Sequence, residues 1–514
     1  MSSVSRGLDR IQVTFDEPTL VADAGLIVVA TLMVRLGLEQ LVNQMVRLVD
    51  RVGGARPGRK VLTLVTAILA GGTHIDHADR LRAGATGRVL PFRVMAPSTL
   101  GTFLRAFTFG HVRQLDAVIA EAIRRAWCLG AGPGEKPMTI DLDSTIVEVH
   151  GNQKQGAAYG YTKALGYHPL LATRASSGEV LHARLRRGSS QRGTKRFCEE
   201  LVARARRCGA SGPLTLRADS GFFSYALIDT LGRLRVSFSI TLTITARVQR
   251  FIDSIEESAW QPITYPEGGA AEVAETIYVS QRRGGARALR LVVRRTQLSD
   301  PRQQALWPNW RHHCFVTNVD LEAVQADAFH RDHASVELAI RDLKEGAGLE
   351  HCPSGQFFAN AAWLGCAVLA HDLVRWTARL GDLHPDSELT VARTVRGRVL
   401  GLPGRLVNSS GRLVLDCPSD CHGRRPSHAR SAAFAHCRSS LEQPPAVGAA
   451  ADGFDALTTK NAHEALIDHA HPAITHRGAL RPTPEDPEDV ADLVNRWIEA
   501  KAVSPIVSPN PPRG

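Results

Sequence analysis

The sequence predicts an α/β protein: a mixed sheet with flanking helices, an N-terminal helical domain and an inserted antiparallel β subdomain. Two observations indicate this. Apolar residues recur at helical spacing up to about residue 128, and after the Gly- and Pro-rich segment 130–137 the period becomes that of strands. With 514 residues, of which 44% are hydrophobic, the chain is long enough for several domains and a sizeable core.

Residues 1–129 are predicted to form a helical domain that binds DNA. Apolar residues at helical spacing and paired glycines define three helices, which we place at 21–37, 38–52 and 59–72.

A fourth helical segment, 96–127, has two interpretations. Ser98 is a plausible N-cap, and Phe109-Gly110 would break the segment into two helices. Such a pair forms either a helix-turn-helix, with Arg105, His111 and Arg113 near DNA, or part of a helical bundle with no DNA role. The pattern fits both.

Residues 136–245 carry the predicted sheet. Segment 138–149 is rich in β-branched residues, and 166–186 predicts two strands around the turn Ser176-Ser177-Gly178. A basic helix, 190–209, leads to a second apolar strand, 213–223, and a further helix and strand follow. Three meandering strands, a helix and a strand, and then a helix–strand step are the order of an RNase H-like fold.

The rest of the chain divides into three parts. Residues 246–325 contain short strands and Gly- and Pro-rich turns, which predict a β-rich insertion. Residues 326–400 return to helices and end the core, and the apolar helix 357–381 is expected to be buried. Residues 401–514 lack periodicity and are predicted to be an irregular, partly disordered tail.

Charge and cysteine content narrow the class of protein. The formal net charge is +11 and the pI is near 9.5, which favours a polyanion such as nucleic acid as partner. Nine cysteines at irregular spacings indicate reduced thiols rather than a disulfide framework. The N-terminus lacks a signal peptide, and the early apolar run 24–34 is too short for a bilayer. We therefore expect a cytoplasmic protein that does not engage a membrane.

Four acidic residues are candidates for phosphoryl-transfer chemistry. Asp141 and Asp143 lie two apart in one strand and share a face, Asp219 ends a second apolar strand before a Gly turn, and Glu337 begins a helix. Carboxylates from distant parts of the chain are what Mg²⁺ needs to bind. The alternative for each acid alone is a strand-end cap or a buried salt bridge.

Three segments together resemble the catalytic blocks of bacterial insertion-sequence transposases with an Asp-Asp-Glu site, and the group most similar is insertion-sequence family thirteen-eighty. They are DLDSTIVEVHGNQKQGAAYGYTK and its continuation to residue 197, LTLRADSGFFS, and HRDHASVELAIRDLKEG. The third resembles the pattern Tyr, two residues, Arg, three residues, Glu, six residues, Lys. The resemblance implies cleavage at the element's ends and strand transfer of the 3′-hydroxyl into target DNA.

The resemblance also assigns roles. Asp143, Asp219 and Glu337 would be the catalytic and metal-binding acids for two Mg²⁺ ions, with Mn²⁺ as a substitute, and Asp141 is either an alternative first acid or its partner. Lys344 would hold a DNA phosphate. Double-stranded DNA, as terminal inverted repeats and target, is the implied partner, bound by a homodimer in the bacterial cytoplasm with the nucleoid.

The third block departs from the family pattern at two positions that bear on DNA binding. His330 stands in place of Tyr and His333 in place of Arg, and neutral histidine lacks the permanent bidentate clamp of arginine. Arg331 is a candidate substitute. A basic neighbourhood is also predicted to follow the DNA backbone, with a solvated helix face as the alternative; its members are Arg184, Arg186, Arg187, Arg192, Lys195 and Arg196.

The C-terminal region contains a possible metal-ligand cluster and an atypical composition. Zinc is a weak interpretation, because no second pair follows at standard spacing; the residues are Cys417, Cys421, His422, His428, His436 and Cys437. We hypothesise a frameshifted or recombined C-terminus. Two other functions stay open: an impaired transposase remnant that only binds element ends, and an RNase H-like nuclease of another purpose.

Overall fold

The helices and strands follow the predicted order along the chain. The computed structural model describes residues 12, 14–48, 50–151, 153–160, 163–188, 193–265, 270–282, 285–297, 310–381 and 391–418. The α-helices are α1 (Leu26–Arg35), α2 (Leu38–Met45), α3 (Pro57–Leu69), α4 (Pro97–Arg105), α5 (Phe109–Ala126), α6 (Thr194–Cys208), α7 (Tyr225–Arg233), α8 (Ala246–Asp253), α9 (Ala323–Arg331), α10 (Ser335–Arg341), α11 (Phe357–Leu380) and α12 (Ala392–Val395). The strands are β1 (Leu20–Val21), β2 (Met138–Ser144), β3 (Val147–Glu148), β4 (Ala158–Tyr159), β5 (Leu165–Tyr167), β6 (Leu170–Arg174), β7 (Val180–Arg184), β8 (Leu214–Ala218), β9 (Ser237–Thr241), β10 (Gln261–Ile263), β11 (Ala271–Arg282), β12 (Gly285–Gln297), β13 (Trp310–Thr317), β14 (Gly404–Ser409) and β15 (Arg412–Asp416).

The core of the large sheet has the predicted RNase H-like topology. Its strands lie in the order β7-β6-β2-β8-β9. Strand β2 is antiparallel to β6, which is antiparallel to β7, whereas β2, β8 and β9 run parallel. Helices α6 and α7 make the crossovers between parallel neighbours. The predicted mixed α/β fold class is confirmed.

The predicted β insertion continues this sheet instead of forming a separate one. Strand β13 pairs with β9, and β12, β11 and β10 follow in antiparallel order, which makes nine strands. Pairing with β13 covers the edge of β9, whose backbone groups would otherwise lack partners. The insertion also has a small apolar cluster of its own, formed by Val273, Val292, Phe315, Ala323 and Ala326. The insertion is therefore bonded to the core through its backbone.

Helix α11 is the apolar centre of the helical part. It contacts α1, α3, α4, α5 and β7, so its surroundings are protein on every side. The helix is long and apolar enough to cross a bilayer by length and composition, as is the bent pair α1–α2 if taken as one span. Because 89% of the apolar window of α11 is buried inside the protein, we describe it as the predicted core helix.

Two local expectations for the N-terminal helices differ from the structure. Helix α4 begins at Pro97 with Ala96 as N-cap, so Ser98 lies inside the first turn; proline at this position has the helical φ already. The break before α5 falls ahead of Phe109, where Thr108 and His111 form the capping box. Helix α5 packs against α2, α6, α11 and β7, as a member of a helical bundle does.

The first part of the predicted irregular tail is ordered. Strands β14 and β15 form a hairpin, and β14 pairs with β1 near the N-terminus. Leu406 is buried with Val21, Ala24 and Ala85 in a small apolar cluster. The small sheet forms because β14 pairs with β1, a segment almost 400 residues away in the chain. No local pattern in the sequence shows this contact.

Candidate active site

Three acids from separate parts of the chain line one pocket of about 420 Å³. Asp143 is the next-to-last residue of β2, Asp219 directly follows β8, and Glu337 lies in the first turn of α10. Strands β2 and β8 are parallel neighbours, so their carboxyl ends lie at the same edge of the sheet, where open sheets present ligands. The structure thus places on one pocket the three acids to which the resemblance assigns the catalytic role.

The pocket is electrostatically unfavourable for its own acids. Burial, followed by the negative charge of Asp219, raises the pKa of Asp143 to about 7, although the Ser144 N–H donates to its Oδ1 at 2.6 Å. Glu337 adds a smaller repulsion. A cation in the pocket would relieve this repulsion, and carboxylates are the donors that Mg²⁺ prefers. The residues therefore fit a divalent metal in type.

The same acids do not surround one point. Among the described residues, no group of three or more His, Cys, Asp or Glu side chains is close enough to hold a metal ion. Asp219 and Glu337 are exposed, so their side chains are free to change rotamer without breaking a packed core. Metal binding at this pocket requires such a movement.

Asp141 lies behind the pocket. It is fully buried, and Arg217 on β8 donates to both its oxygens, from Nε at 2.7 Å and Nη2 at 2.9 Å. The Nδ1 of His333 lies 2.8 Å from its Oδ1. Asp141 does not line the pocket. This geometry favours the partner role over the direct catalytic role that the sequence also allowed.

Arg217 is the site residue that sequence reasoning missed. It stands opposite Asp141 in the register of β2 and β8, it donates to the carbonyl oxygen of Phe329 at 2.5 Å, and its guanidinium lies 4.9 Å from the centre of the Phe329 ring. A signal existed, because an arginine and an aspartate each within an apolar strand need partners.

The two histidines of the third block are internal. His330 is hydrogen-bonded to the hydroxyls of Ser239 and Thr241 and stacks on Phe315 at 4.1 Å; burial and nearby cations lower its pKa to about 2, so it is neutral. Burial disfavours a charge on His333, but its bond to Asp141 and the neighbouring carboxylates outweigh this and raise its pKa. Its Nε2 is 3.9 Å from Asp219. His333 thus lines the pocket and contacts two site acids, and its predicted DNA contact stays a prediction.

The chain is similar to a known protein family. A family model described as "Transposase DDE domain group 1" matches residues 5–438. The chain belongs to this family. The DDE transposase also matches seven chains of solved structures, among them the piggyBac transposase synaptic complex with hairpin DNA solved by cryo-EM. That match has a TM-score of 0.39 and 10% identity over 74% of this chain and 80% of the other, which is too distant to assign residues. No curated protein matches the chain.

Two arginines of the transposase line the same pocket as the acids. Asp327, which is fully buried, accepts from Arg331 at 2.9 Å and from Arg294 on β12 at 2.7 Å. Both arginines and the ring of Tyr265 face the pocket. Arg331, predicted to bind DNA, is therefore placed beside the acids, and Arg294 is a second missed residue at this site.

Lys344 is away from the pocket that Glu337 lines. The helix widens into a π-helix over Asp342–Gly346, which changes the angle between successive side chains, so a seven-residue spacing no longer returns to the same face. Lys344 is half-buried, which lowers its pKa, and its charged neighbours are Glu148, Glu345 and Glu350. The structure does not bring Lys344 together with the three acids.

The predicted basic neighbourhood divides between surface and interior. Lys195 and Arg196 are exposed on α6, and Arg187 is exposed with its guanidinium 5.3 Å from the ring centre of Phe357. Arg186 is buried instead: its Nε donates to the carbonyl of His168 at 3.0 Å, and burial lowers its pKa to about 10. A DNA-backbone role for Arg186 is inconsistent with this placement.

The structure describes only some of the residues in three further predictions, which concern two arginines, the cysteines and the possible zinc ligands. Arg184 pairs with Glu200 at 2.5 Å, and Arg192 lies outside the described residues. No disulfide links the cysteines in the part of the chain that the structure describes. Of the possible zinc ligands, Cys417 is exposed, and the other members lie outside the part of the chain that the structure describes.

Proposed function

We propose that this protein is an active DNA transposase whose Asp143, Asp219 and Glu337 form the catalytic site. The observation that supports this most strongly is the convergence of the three acids on one pocket at the carboxyl ends of β2 and β8, in a chain of the DDE transposase family. We further propose that the chain belongs to the insertion-sequence thirteen-eighty group and acts in the bacterial cytoplasm.

The proposed substrate is double-stranded DNA, at the element's terminal inverted repeats and at a target site, bound by a homodimer. The net charge of +11 and the arginines on the pocket wall suit a phosphodiester. Arg331 and Arg294, each held by Asp327, would orient a phosphate against the acids with little loss of side-chain freedom.

The acids would hold two Mg²⁺ or Mn²⁺ ions. When bound, such ions activate the attacking oxygen and stabilise charge on the leaving oxygen. The protein's own part is positioning: Arg217 fixes Asp141, Asp141 fixes the ring of His333, and the Nε2 of His333 lies 3.9 Å from Asp219. Asp143 must lose the proton that its raised pKa favours before it can act as a ligand.

A cleavage assay on duplex DNA carrying the sequences that flank the gene tests the proposal. Asp219→Asn and Glu337→Gln each remove one charge at nearly constant volume and should abolish Mg²⁺-dependent cleavage. Glu345→Gln is the matched control, because Glu345 is exposed on the following π-helix and does not line the pocket. Cleavage that persists in Asp219→Asn contradicts the proposal.

The second candidate, a remnant that binds ends without cutting them, is favoured by the separation of the acids in the described structure. Binding to the flanking sequences without cleavage by the wild type at any Mg²⁺ or Mn²⁺ concentration would support it. Cleavage of unrelated duplexes as fast as the flanking ones would instead indicate an RNase H-like nuclease.

A further inference from the structure

A basic cavity of about 660 Å³ lies in the helical N-terminal part, and none of its lining residues lines the carboxylate pocket. The segment after α2 contributes Arg47 and Arg51, the last residue of α4 contributes Arg105, and the first turn of α5 contributes His111. One hydrogen bond joins the segment after α2 to α5: the backbone N–H of Arg47 donates to Oε1 of Gln114 at 2.9 Å. Thr108 and His111 form the capping box at the start of α5.

The cavity contains more positive charge than the surrounding protein neutralises. Asp50 is its one lining carboxylate, against three guanidinium groups. Among the described residues, no carboxylate makes an ion pair with these arginines, whereas Arg113, also on α5, has both Asp116 at 3.4 Å and Glu200 at 3.0 Å. Burial and the charge of Arg51 lower the pKa of His111. Unpaired like charges around one cavity repel each other unless an anion joins them.

We propose that this cavity binds phosphate groups of a DNA backbone, at a contact separate from the cleavage pocket. Arginine presents several donors in a plane, which suits phosphate oxygens, and the arginines Arg47, Arg51 and Arg105 are exposed at the surface where a duplex can reach them. Contacts to phosphate position a duplex without selecting its sequence. The identity of the polyanion as DNA rests on the proposed function.

The salt dependence of DNA binding by the full chain tests this contact. The cavity variant Arg47→Gln/Arg51→Gln/Arg105→Gln is compared with Arg93→Gln/Arg398→Gln/Arg412→Gln, which removes the same charge at exposed arginines outside the cavity. Each lost phosphate contact lowers the slope of log K against log salt by about 0.9, so the cavity variant should lose up to about 2.7 and the control less. The affinity for gene-flanking duplexes and the affinity for unrelated duplexes should fall by the same factor.

Several results would overturn the contact. Equal weakening by the two triple variants would show that net charge alone matters. An unchanged Kd for DNA in the cavity variant would show that the cavity does not contact DNA. If inorganic phosphate then stabilised the wild type more than that variant, the cavity would be a site for free phosphate. If the triple variant unfolds, Arg51→Gln alone should still lower the slope by about 0.9.

The outcome is separable from that of the proposed function. Asp143→Asn should bind DNA with the wild-type salt slope while losing cleavage. Normal binding by the cavity variant, together with cleavage that depends on Asp219, would refute the cavity and retain the transposase. If the wild-type protein binds DNA through the cavity but does not cleave it, the cavity contact is retained and the proposed transposase activity is refuted.

Discussion

Replacing Arg217 with methionine leaves the fully buried Asp141 carboxylate with His333 as its remaining side-chain partner among the described residues. Arg217 supplies two hydrogen bonds to that carboxylate, at 2.7 and 2.9 Å, and its own side chain is 3% exposed. Removing one member of a buried ion pair costs about 3–5 kcal/mol, because the other charge stays buried without compensation. We therefore expect Arg217→Met to lower the free energy of unfolding by about this amount.

The double variant Asp141→Leu/Arg217→Met separates charge compensation from packing. It removes both members of the buried pair, and apolar replacements of buried pairs are often neutral or stabilising, so it should recover most of the lost free energy. Cleavage should not recover, because His333 has lost the carboxylate that orients its ring; loss of such outer partners typically costs about 10–100-fold in activity or metal affinity.

Urea unfolding followed by tryptophan fluorescence gives the free energy of unfolding of the double variant and of its two single variants, Asp141→Leu and Arg217→Met. The cleavage assay is run on the same preparations. The reasoning fails if Arg217→Met costs under about 1 kcal/mol, which is the cost of losing an exposed ion pair. It also fails if the double variant is as unstable as the sum of its single variants, since the two residues would then not be coupled.

Three further predictions follow from particular contacts. Because the pKa of Asp143 is raised to about 7, the metal-free folded protein keeps a proton that the unfolded chain releases near pH 4, so the free energy of unfolding should fall as pH rises from about 4 to 7. Asp143→Asn should flatten this part of the stability–pH curve, and an unchanged curve in that variant would contradict the raised pKa of Asp143. For the same reason Mg²⁺ affinity, measured by titration calorimetry, should increase through pH 7, and EDTA should stop cleavage until Mg²⁺ or Mn²⁺ is added back; affinity independent of pH would exclude Asp143 as a ligand. Gly25→Ala should destabilise the protein by about 1–3 kcal/mol, because the new Cβ would lie 1.7 Å from the carbonyl oxygen of Val399. The control Gly110→Ala on α5, whose new Cβ would have no atom within 4 Å, should be neutral or stabilising by up to about 1 kcal/mol. Similar urea midpoints for the two variants would refute the close packing at Gly25.

Much of the architecture followed from local patterns. The strands β2 and β8 are visible in the sequence as apolar runs that end at acids, and α11 as a continuously apolar helix. The period of the apolar residues changes where the chain changes from helices to strands, and Asp143, Asp219 and Glu337 stand at the ends of elements that the pattern located. Periodicity and chain order therefore predicted the fold class and four candidate acids, and the resemblance to insertion-sequence transposases assigned the catalytic role to these three.

Other features depend on which segments meet. The pairing of Asp141 with Arg217 depends on the register of two strands 76 residues apart. Lys344 stands in a π-helix that no residue spacing reveals, and it is not among the residues that line the pocket of Glu337. Arg186 and Arg187 are neighbours in one basic run, yet one is buried and the other exposed.

The sequence by itself determined the order of the helices and strands and the acids that end them, because backbone preference and apolar period act over a few neighbouring residues. Only the tertiary structure decided which acid faces the pocket, which arginine neutralises Asp141, and that Arg47, Arg51 and Arg105 share a cavity. Those outcomes depend on the burial and distance between residues far apart in the chain, and both quantities exist only once the segments have packed.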